Sequence, residues 1–133
     1  MRVDYSFLCD YADGVAGKLA AIGIGVDAIT SRSFPVTHLM LHYVVRVLGS
    51  ADEAGEHPAT ITVDGPDGPV REPVALELVL PAPHGPFEYG AAQLNLKLVG
   101  LRFPTPGMYS IVLTLDDQVI DRRPLMLALG NEG

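Results

Sequence analysis

Several residue types are scarce in this chain of 133 residues, and each scarcity excludes a class of function. The only lysines are Lys18 and Lys97, and the formal net charge is −7. Without a basic stripe to neutralise phosphates, the chain is a poor candidate for binding nucleic acid or an anionic membrane surface. Cys9 is the single cysteine, so no internal disulfide can form. Tryptophan is absent.

Long apolar runs are also missing. The longest charge-free run near the start, residues 19–26, is too short to cross a bilayer. Asp4 and Asp10 interrupt the opening apolar stretch, which is therefore unlike a signal peptide. With the lone thiol, these features predict a cytoplasmic protein in a reducing compartment.

Glycine and proline are plentiful, with 14 and 11 residues, and hydrophobic residues make up 48% of the chain. Both residue types break helices and build turns, while the apolar content is ample for one core. We therefore predict a single all-β domain over residues 1–133. Its expected architecture is an antiparallel β-sandwich of about seven to nine strands, immunoglobulin-like or C2-like.

The clearest pattern lies near the C-terminus. Tyr109, Ile111, Leu113 and Leu115 share one face, with Ser110 and Thr114 on the other, which predicts a half-buried strand. A turn at residues 116–118 then predicts a terminal hairpin. Because Tyr109 follows a Pro-Gly corner, it resembles the tyrosine corner of immunoglobulin-like sandwiches, in which the hydroxyl bonds to the preceding corner's backbone.

The first third of the chain is more ambiguous. Alternation over residues 5–11 predicts a strand with Cys9 facing inward, and Asp13-Gly14 predicts the following turn. Residues 18–26 predict a second strand with Ile22, Ile24 and Val26 on one face. A short Ala-rich helix over residues 15–22 is the alternative, although its glycines disfavour it. Residues 27–31 continue the strand or add a short one.

Residues 38–48 predict a long strand whose inward face runs from Leu39 to Val47. Met40 and Val44 on its other face, with Val99 further along, are candidates for an exposed contact patch. In the last strand, Asp121 and Arg123 share a parity with buried leucines. Either the two face inward as a pair or a bulge near Pro124 on an edge strand shifts the register, and the proline favours the bulge.

Catalytic patterns are not apparent. No Gly-x-Ser-x-Gly elbow is present, and a buried Cys9 would be unreactive. His38 and His42 share a strand face but would stand about 13 Å apart at ~3.3 Å per residue, too far to bind one ion. No glycine-rich loop joins a strand to a helix. We therefore expect neither an enzyme nor a cofactor, and assign no metal ligand.

Antiparallel connections bring the acidic loops to one end of the domain, together with Asp13. Long loops on a rigid sandwich are where such folds recognise partners. The predicted binding surface comprises Asp52, Glu53, Glu56, His57, His84, Phe87, Glu88, Tyr89, Asp116 and Asp117. Its occupant is expected to be a protein partner or a second copy of the chain. The alternative is calcium, which prefers several carboxylates, or a carbohydrate stacked on Phe87 and Tyr89.

Six short motifs carry a resemblance to a known family. They are Leu8-Cys9-Asp10, Gly17-Lys18-Leu19, Phe34-Pro35 with His38, the strand-ending run 44–47, Pro66-Asp67-Gly68, and the Phe-Pro-x-Pro-Gly-x-Tyr of residues 103–109. Together they resemble a family of small bacterial proteins known only as a domain of unknown function. The resemblance implies a bacterial single-domain β-sandwich and carries no catalytic residue across. We therefore expect a non-catalytic interaction module, a subunit or adaptor of a larger assembly or homo-oligomer.

Overall fold

The computed structural model describes residues 1–15 and 18–130. In this part of the chain there are eleven strands and one 3-10 turn (Ala51–Glu53), and no helix that could cross a membrane. The strands are β1 (Arg2–Cys9), β2 (Tyr11–Val15), β3 (Lys18–Ile22), β4 (Ala28–Ser31), β5 (Val36–Gly49), β6 (Gly55–Gly65), β7 (Gly68–Pro69), β8 (Val74–Leu80), β9 (Gly90–Phe103), β10 (Gly107–Leu115) and β11 (Gln118–Leu129). The all-β class is confirmed. The strands outnumber the expected seven to nine because short segments such as β7 form strands of their own.

The strands form three sheets. A three-stranded sheet has the order β1-β5-β9, and a six-stranded sheet has the order β4-β11-β10-β6-β7, with β8 also paired to β6. The β2–β3 hairpin forms a separate two-stranded sheet. Every pairing is antiparallel except that of β4 with β11.

The alternation of apolar residues builds one main core from both large sheets. Its members include Tyr43 and Val45 of β5, Ile61 and Val63 of β6, and Leu98 of β9. Fully burying such a side chain contributes about 1.5–3 kcal/mol each. The strand predicted from Tyr109 to Leu115 is confirmed, since its four apolar residues are at most 1% exposed.

The tyrosine corner is also confirmed. The Tyr109 hydroxyl donates to the carbonyl oxygen of Thr105 at 2.6 Å and accepts from the Thr105 N–H at 3.3 Å. The Tyr109 ring meets Phe103 edge-on at 5.0 Å, and a side chain at Gly65 would collide with it. The corner preceding β10 is therefore fixed by one buried side chain.

The N-terminal third differs from the prediction. Asp13 and Gly14 lie within β2 instead of forming a turn, and Ile22 and Ile24 are exposed. Residues 18–22 form the strand β3 and not the alternative helix. Of the other residues of that helix, 16 and 17 lie outside the described part of the chain. Val26 alone of its predicted face packs on the main core. The predicted short strand at residues 27–31 is confirmed as β4.

The β2–β3 hairpin covers the outer face of the three-stranded sheet. Cys9, Ala12 and Val44 form a second buried cluster beneath it. Cys9 was therefore assigned to the wrong face, because Leu8 is the residue that enters the main core. Val44 is fully buried, so its place in an exposed patch was wrong. The β2–β3 hairpin buries Val44, and the alternation of residues within β5 cannot predict that another hairpin packs on its outer face.

The inward parity of β5 and β9 changes at one point. Their pairing skips Leu39 and Gly100, where Gly100 has a φ of +67°. Leu98 faces the core before this point and Leu101 faces it afterwards. Leu39, predicted to face inward, is consequently 80% exposed.

The predicted bulge near Pro124 was wrong, because the register of β10 with β11 shifts instead between Leu113 and Thr114, opposite Ile120. The strand is also not an edge strand, since β11 lies between β4 and β10. Asp121 faces inward and accepts a hydrogen bond from the Tyr43 hydroxyl at 2.5 Å. The alternative in which Asp121 faces inward is therefore the one that the structure shows. Burial strongly raises the pKa of the Tyr43 hydroxyl.

Candidate functional site

The predicted binding surface begins with a cluster around His57. Glu56 and His57 were expected in an acidic loop, but they belong to β6. The neighbouring β10–β11 turn has positive φ at both Asp116 and Asp117, as a type I′ turn requires, and the Asp116 N–H donates to the Pro58 carbonyl. This places the Asp116 carboxylate beside His57.

Both ring nitrogens of His57 face acceptors. Nδ1 lies 2.7 Å from Asp116 Oδ2, and Nε2 lies 2.5 Å from the carbonyl oxygen of Glu53. A neutral imidazole can donate only once, whereas the imidazolium can donate to both. These hydrogen bonds, chiefly that to the Glu53 carbonyl, raise the pKa of His57.

Glu53 is held by a second set of partners. Its carboxylate accepts from the terminal amino group of Met1 and from the Ser50 N–H at 3.0 Å. These bonds, the first above all, lower the pKa of Glu53. In the described part of the chain, no three His, Cys, Asp or Glu side chains are placed to hold a metal ion. Glu53 and Asp116 are therefore engaged with groups of the protein itself.

A neighbouring groove joins Glu53 to the next loop. It encloses about 390 Å³ and is lined by Met1, Ser50, Glu53, Glu88 and Tyr89 among others. The remaining acids of the predicted surface, Asp52, Glu56 and Asp117, are exposed. Asp13 belongs to neither group, since it lies in β2 and accepts from the Tyr11 hydroxyl at 3.4 Å.

The aromatic residues of the predicted surface line a separate depression, which we call the aromatic cleft. Its walls are Arg46, Pro81, His84, Phe87, Tyr89, Gly90 and Ala91, and its volume is about 150 Å³. The rings of His84 and Phe87 lie 6.1 Å apart, and those of Phe87 and Tyr89 lie 5.9 Å apart. Phe87 is 53% exposed.

The loop at residues 81–89 folds into this shape for local reasons. The Phe87 N–H donates to the His84 carbonyl at 3.3 Å, and Gly85 between them has a φ of +61°. At the end of the loop, a Cβ on Gly90 would come within 1.8 Å of the Pro81 carbonyl oxygen. Because glycine permits this close approach, the two ends of the loop pack together and the rings face one another.

Arg46 is the charged residue among the cleft residues that the sequence did not predict, the others being Pro81, Gly90 and Ala91. It lies on the outer face of β5, and its guanidinium donates to Asp4 at 2.7 Å. The alternation of residues 38–48 was the available signal, because it sets Arg46 on the face opposite Tyr43 and Val45. That Arg46 lies beside the loop at residues 81–89 could not be deduced from that signal.

A second polar group lies beneath the β2–β3 hairpin. His42 is 3% exposed, and its Nδ1 lies 2.9 Å from Asn95 Oδ1. Asn95 Nδ2 in turn donates to the Ala12 carbonyl, which ties the hairpin to β9. Cys9 lies opposite His42 in the ladder, and burial raises the Cys9 pKa, which disfavours its thiolate.

Comparisons with known proteins give a family and a fold. No match was found among the curated proteins. One solved structure, the crystal structure of a β-glucosidase from Listeria innocua in complex with isofagomine, is similar at a TM-score of 0.51 and 12% identity. The match covers 93% of this chain but only 16% of that one, and at this identity the likeness concerns the fold alone. The model of the family described as "Family of unknown function (DUF6941)" matches residues 4–128, so the chain belongs to that family.

Proposed function

We propose that this domain is an immunoglobulin-like β-sandwich that serves as a non-catalytic interaction module in the bacterial cytoplasm. It acts as a subunit or adaptor and recognises another protein. The shared core of the two large sheets and the tyrosine corner support the sandwich architecture.

The aromatic cleft is the observation that carries the proposal. A volume of about 150 Å³ matches a cavity known to admit a benzene ring, and hence a single aromatic or aliphatic side chain. Its rings offer apolar contact at little cost in conformational entropy, since each has only two side-chain torsions. Such a pocket at a loop end of a rigid scaffold suits the anchor residue of a partner.

The groove beside the aromatic cleft contains acidic residues, in contrast to the apolar rings of the cleft. Glu88 lines it with an exposed carboxylate, whereas Glu53 is already paired with the Met1 amino group, and Tyr89 borders both the groove and the aromatic cleft. The partner segment therefore carries an apolar anchor residue followed by basic residues that pair with Glu88. Charge complementarity of this kind mainly raises the rate of association.

The test is a selection from a random-peptide library displayed on phage, followed by titration of the selected peptides. We expect enrichment of peptides with an apolar anchor and adjacent basic residues. Phe87→Ala should weaken their binding at least about tenfold, as for loss of a contact worth about 1.4 kcal/mol. Met108→Ala is the matched control, since Met108 is also more than half exposed but lies in β10. Equal weakening by both variants, or no enrichment, contradicts the proposal.

Carbohydrate binding is the second candidate, and the exposed ring of Phe87 beside Tyr89 favours it. Exposed rings stack against the apolar faces of sugars. A glycan array probed with the wild-type protein and with Phe87→Ala separates the two candidates. Glycan binding that depends on Phe87, without peptide enrichment, would replace the protein partner by a sugar.

A further inference from the structure

The free edges of the two large sheets are protected unequally. β1 has a register shift after Val3, and its Leu8 carbonyl already accepts the N–H groups of Gly25 and Val26. β4 has only four residues. β8 has seven residues, carries Glu77, and is followed directly by Pro81. Short length, bulges, charges and prolines are the features that prevent exposed edges from pairing with other chains.

β9 has almost none of these protections. It is fourteen residues long and, among the described residues, pairs with β5 alone. Lys97 is its only charge between Gly90 and Leu101, and it contains no proline. Gln93, Asn95 and Lys97 are exposed, although the β2–β3 hairpin accepts a hydrogen bond from the Asn95 side chain. A long edge of unpaired N–H and C=O groups with little charge is a template for another strand.

We propose that β9 pairs with β9 of a second copy of this chain, joining the two three-stranded sheets into one continuous sheet. Two antiparallel copies of a strand are related by a twofold axis, so each free main-chain group meets its counterpart. The proposal concerns the β9 edge, which meets the aromatic cleft only at Gly90 and Ala91, and does not depend on the function proposed above.

The side-chain pattern of β9 is complementary to itself. Leu94 and Leu96 pack partly buried against the main core, while the residues between them are exposed and polar. A pairing centred on Asn95 sets Leu94 against Leu96 of the other copy, which extends the core across the junction. It also sets Gln93 against Lys97, so no like charges are opposed.

A second copy fits this edge better than an unrelated strand for the same reason. The occupant must alternate apolar residues toward the core with polar residues outward, and β9 itself has this alternation. The net charge of −7 on each copy opposes association at long range, so we expect the dimer to weaken at low ionic strength.

The dimer would place one aromatic cleft near each end of the joined edge, because Gly90 and Ala91 line the cleft. With a centre at Asn95, the two clefts lie roughly 30 Å apart at ~3.4 Å per residue. A partner with two anchor segments could then bind both copies at once, with a gain from effective concentration.

The test is sedimentation velocity over a dilution series at low and physiological salt. We expect a dimer that dissociates on dilution and more readily at low salt. Leu94→Lys places a charge on the inner side of the β9 edge and should leave a monomer. Leu76→Lys is the matched control, a partly buried leucine on the edge strand β8 that also packs on the main core, and should remain dimeric.

Hydrogen–deuterium exchange on the wild-type protein provides a test that needs no variant. Amides of residues 91–98 should exchange more slowly at high concentration than at low concentration, while those of β8 should not change. A monomer at all concentrations, a dimer that survives Leu94→Lys, or concentration-dependent protection confined to other strands would each overturn the proposal.

Discussion

Removing one oxygen atom, by Tyr109→Phe, isolates the contribution of the tyrosine corner. The substitution keeps the buried ring and its contact with Phe103. It deletes the donated bond to the Thr105 carbonyl at 2.6 Å and the bond accepted from the Thr105 N–H at 3.3 Å. Losing a buried hydrogen bond and leaving its partners unsatisfied costs about 1.5 kcal/mol. For a domain of this length, the melting temperature should fall by about 5 °C.

The assay is thermal unfolding followed by circular dichroism, with urea unfolding to give the free-energy difference. Tyr5→Phe is the control, because Tyr5 is 37% exposed and its hydroxyl bonds to Gln93 at 2.5 Å near water. An exposed bond of this kind should contribute less than about 0.5 kcal/mol. Equal effects from the two variants, or no effect of Tyr109→Phe, would refute the reasoning.

Three further predictions concern the end of the domain that contains His57. Because the folded-state pKa of His57 is raised above its ordinary 6.5, its stabilisation is complete at lower pH and is lost as pH rises through the folded pKa. His57→Gln should therefore lower the melting temperature more at about pH 5.5 than at about pH 8, and an equal loss at both would contradict this. Asp117→Gly should raise stability by up to about 1 kcal/mol in urea unfolding, because the second turn position has a φ of 65° that glycine adopts without strain, and a loss of stability would argue against this turn. Adding calcium should leave the melting temperature as it is in chelator, whereas a rise would show a bound ion.

Much of the fold could be predicted from local pattern. The alternation that ends at Leu115 identifies β10, and the Gly65–Gly68 hairpin links β6 to β7 as its turn residues indicate. These features depend on neighbouring residues only. The burial of Val44 depends on the distant β2–β3 hairpin, and the exposure of Leu39 depends on a change of the inward face at Gly100. Neither can be deduced from neighbouring residues, which is why both were placed on the wrong sides. A single glycine conformation at Gly100 reverses the inward face of two strands.

The candidate site shows the same division. Its residues came from the expectation that loops gather at one end, and the structure brings several of them together. Their separation into an internally bonded acidic cluster and an aromatic cleft could not be predicted, because it depends on which acids find partners within the protein. His57 and Asp116 meet only because the turn beside β6 adopts positive φ at two consecutive residues.

The parallel pairing of β4 with β11 has a consequence for synthesis on the ribosome. Ala28 pairs with Met126, so two segments near opposite ends of the chain form one ladder. β4 emerges early but has no strand to pair with until β11 has been made. Such non-local pairing slows folding, because a long loop must close before any contact offsets its entropy. The six-stranded sheet can therefore be completed only after β11 has been made, and a chain shortened before residue 118 would leave the edge of β10 open to other chains.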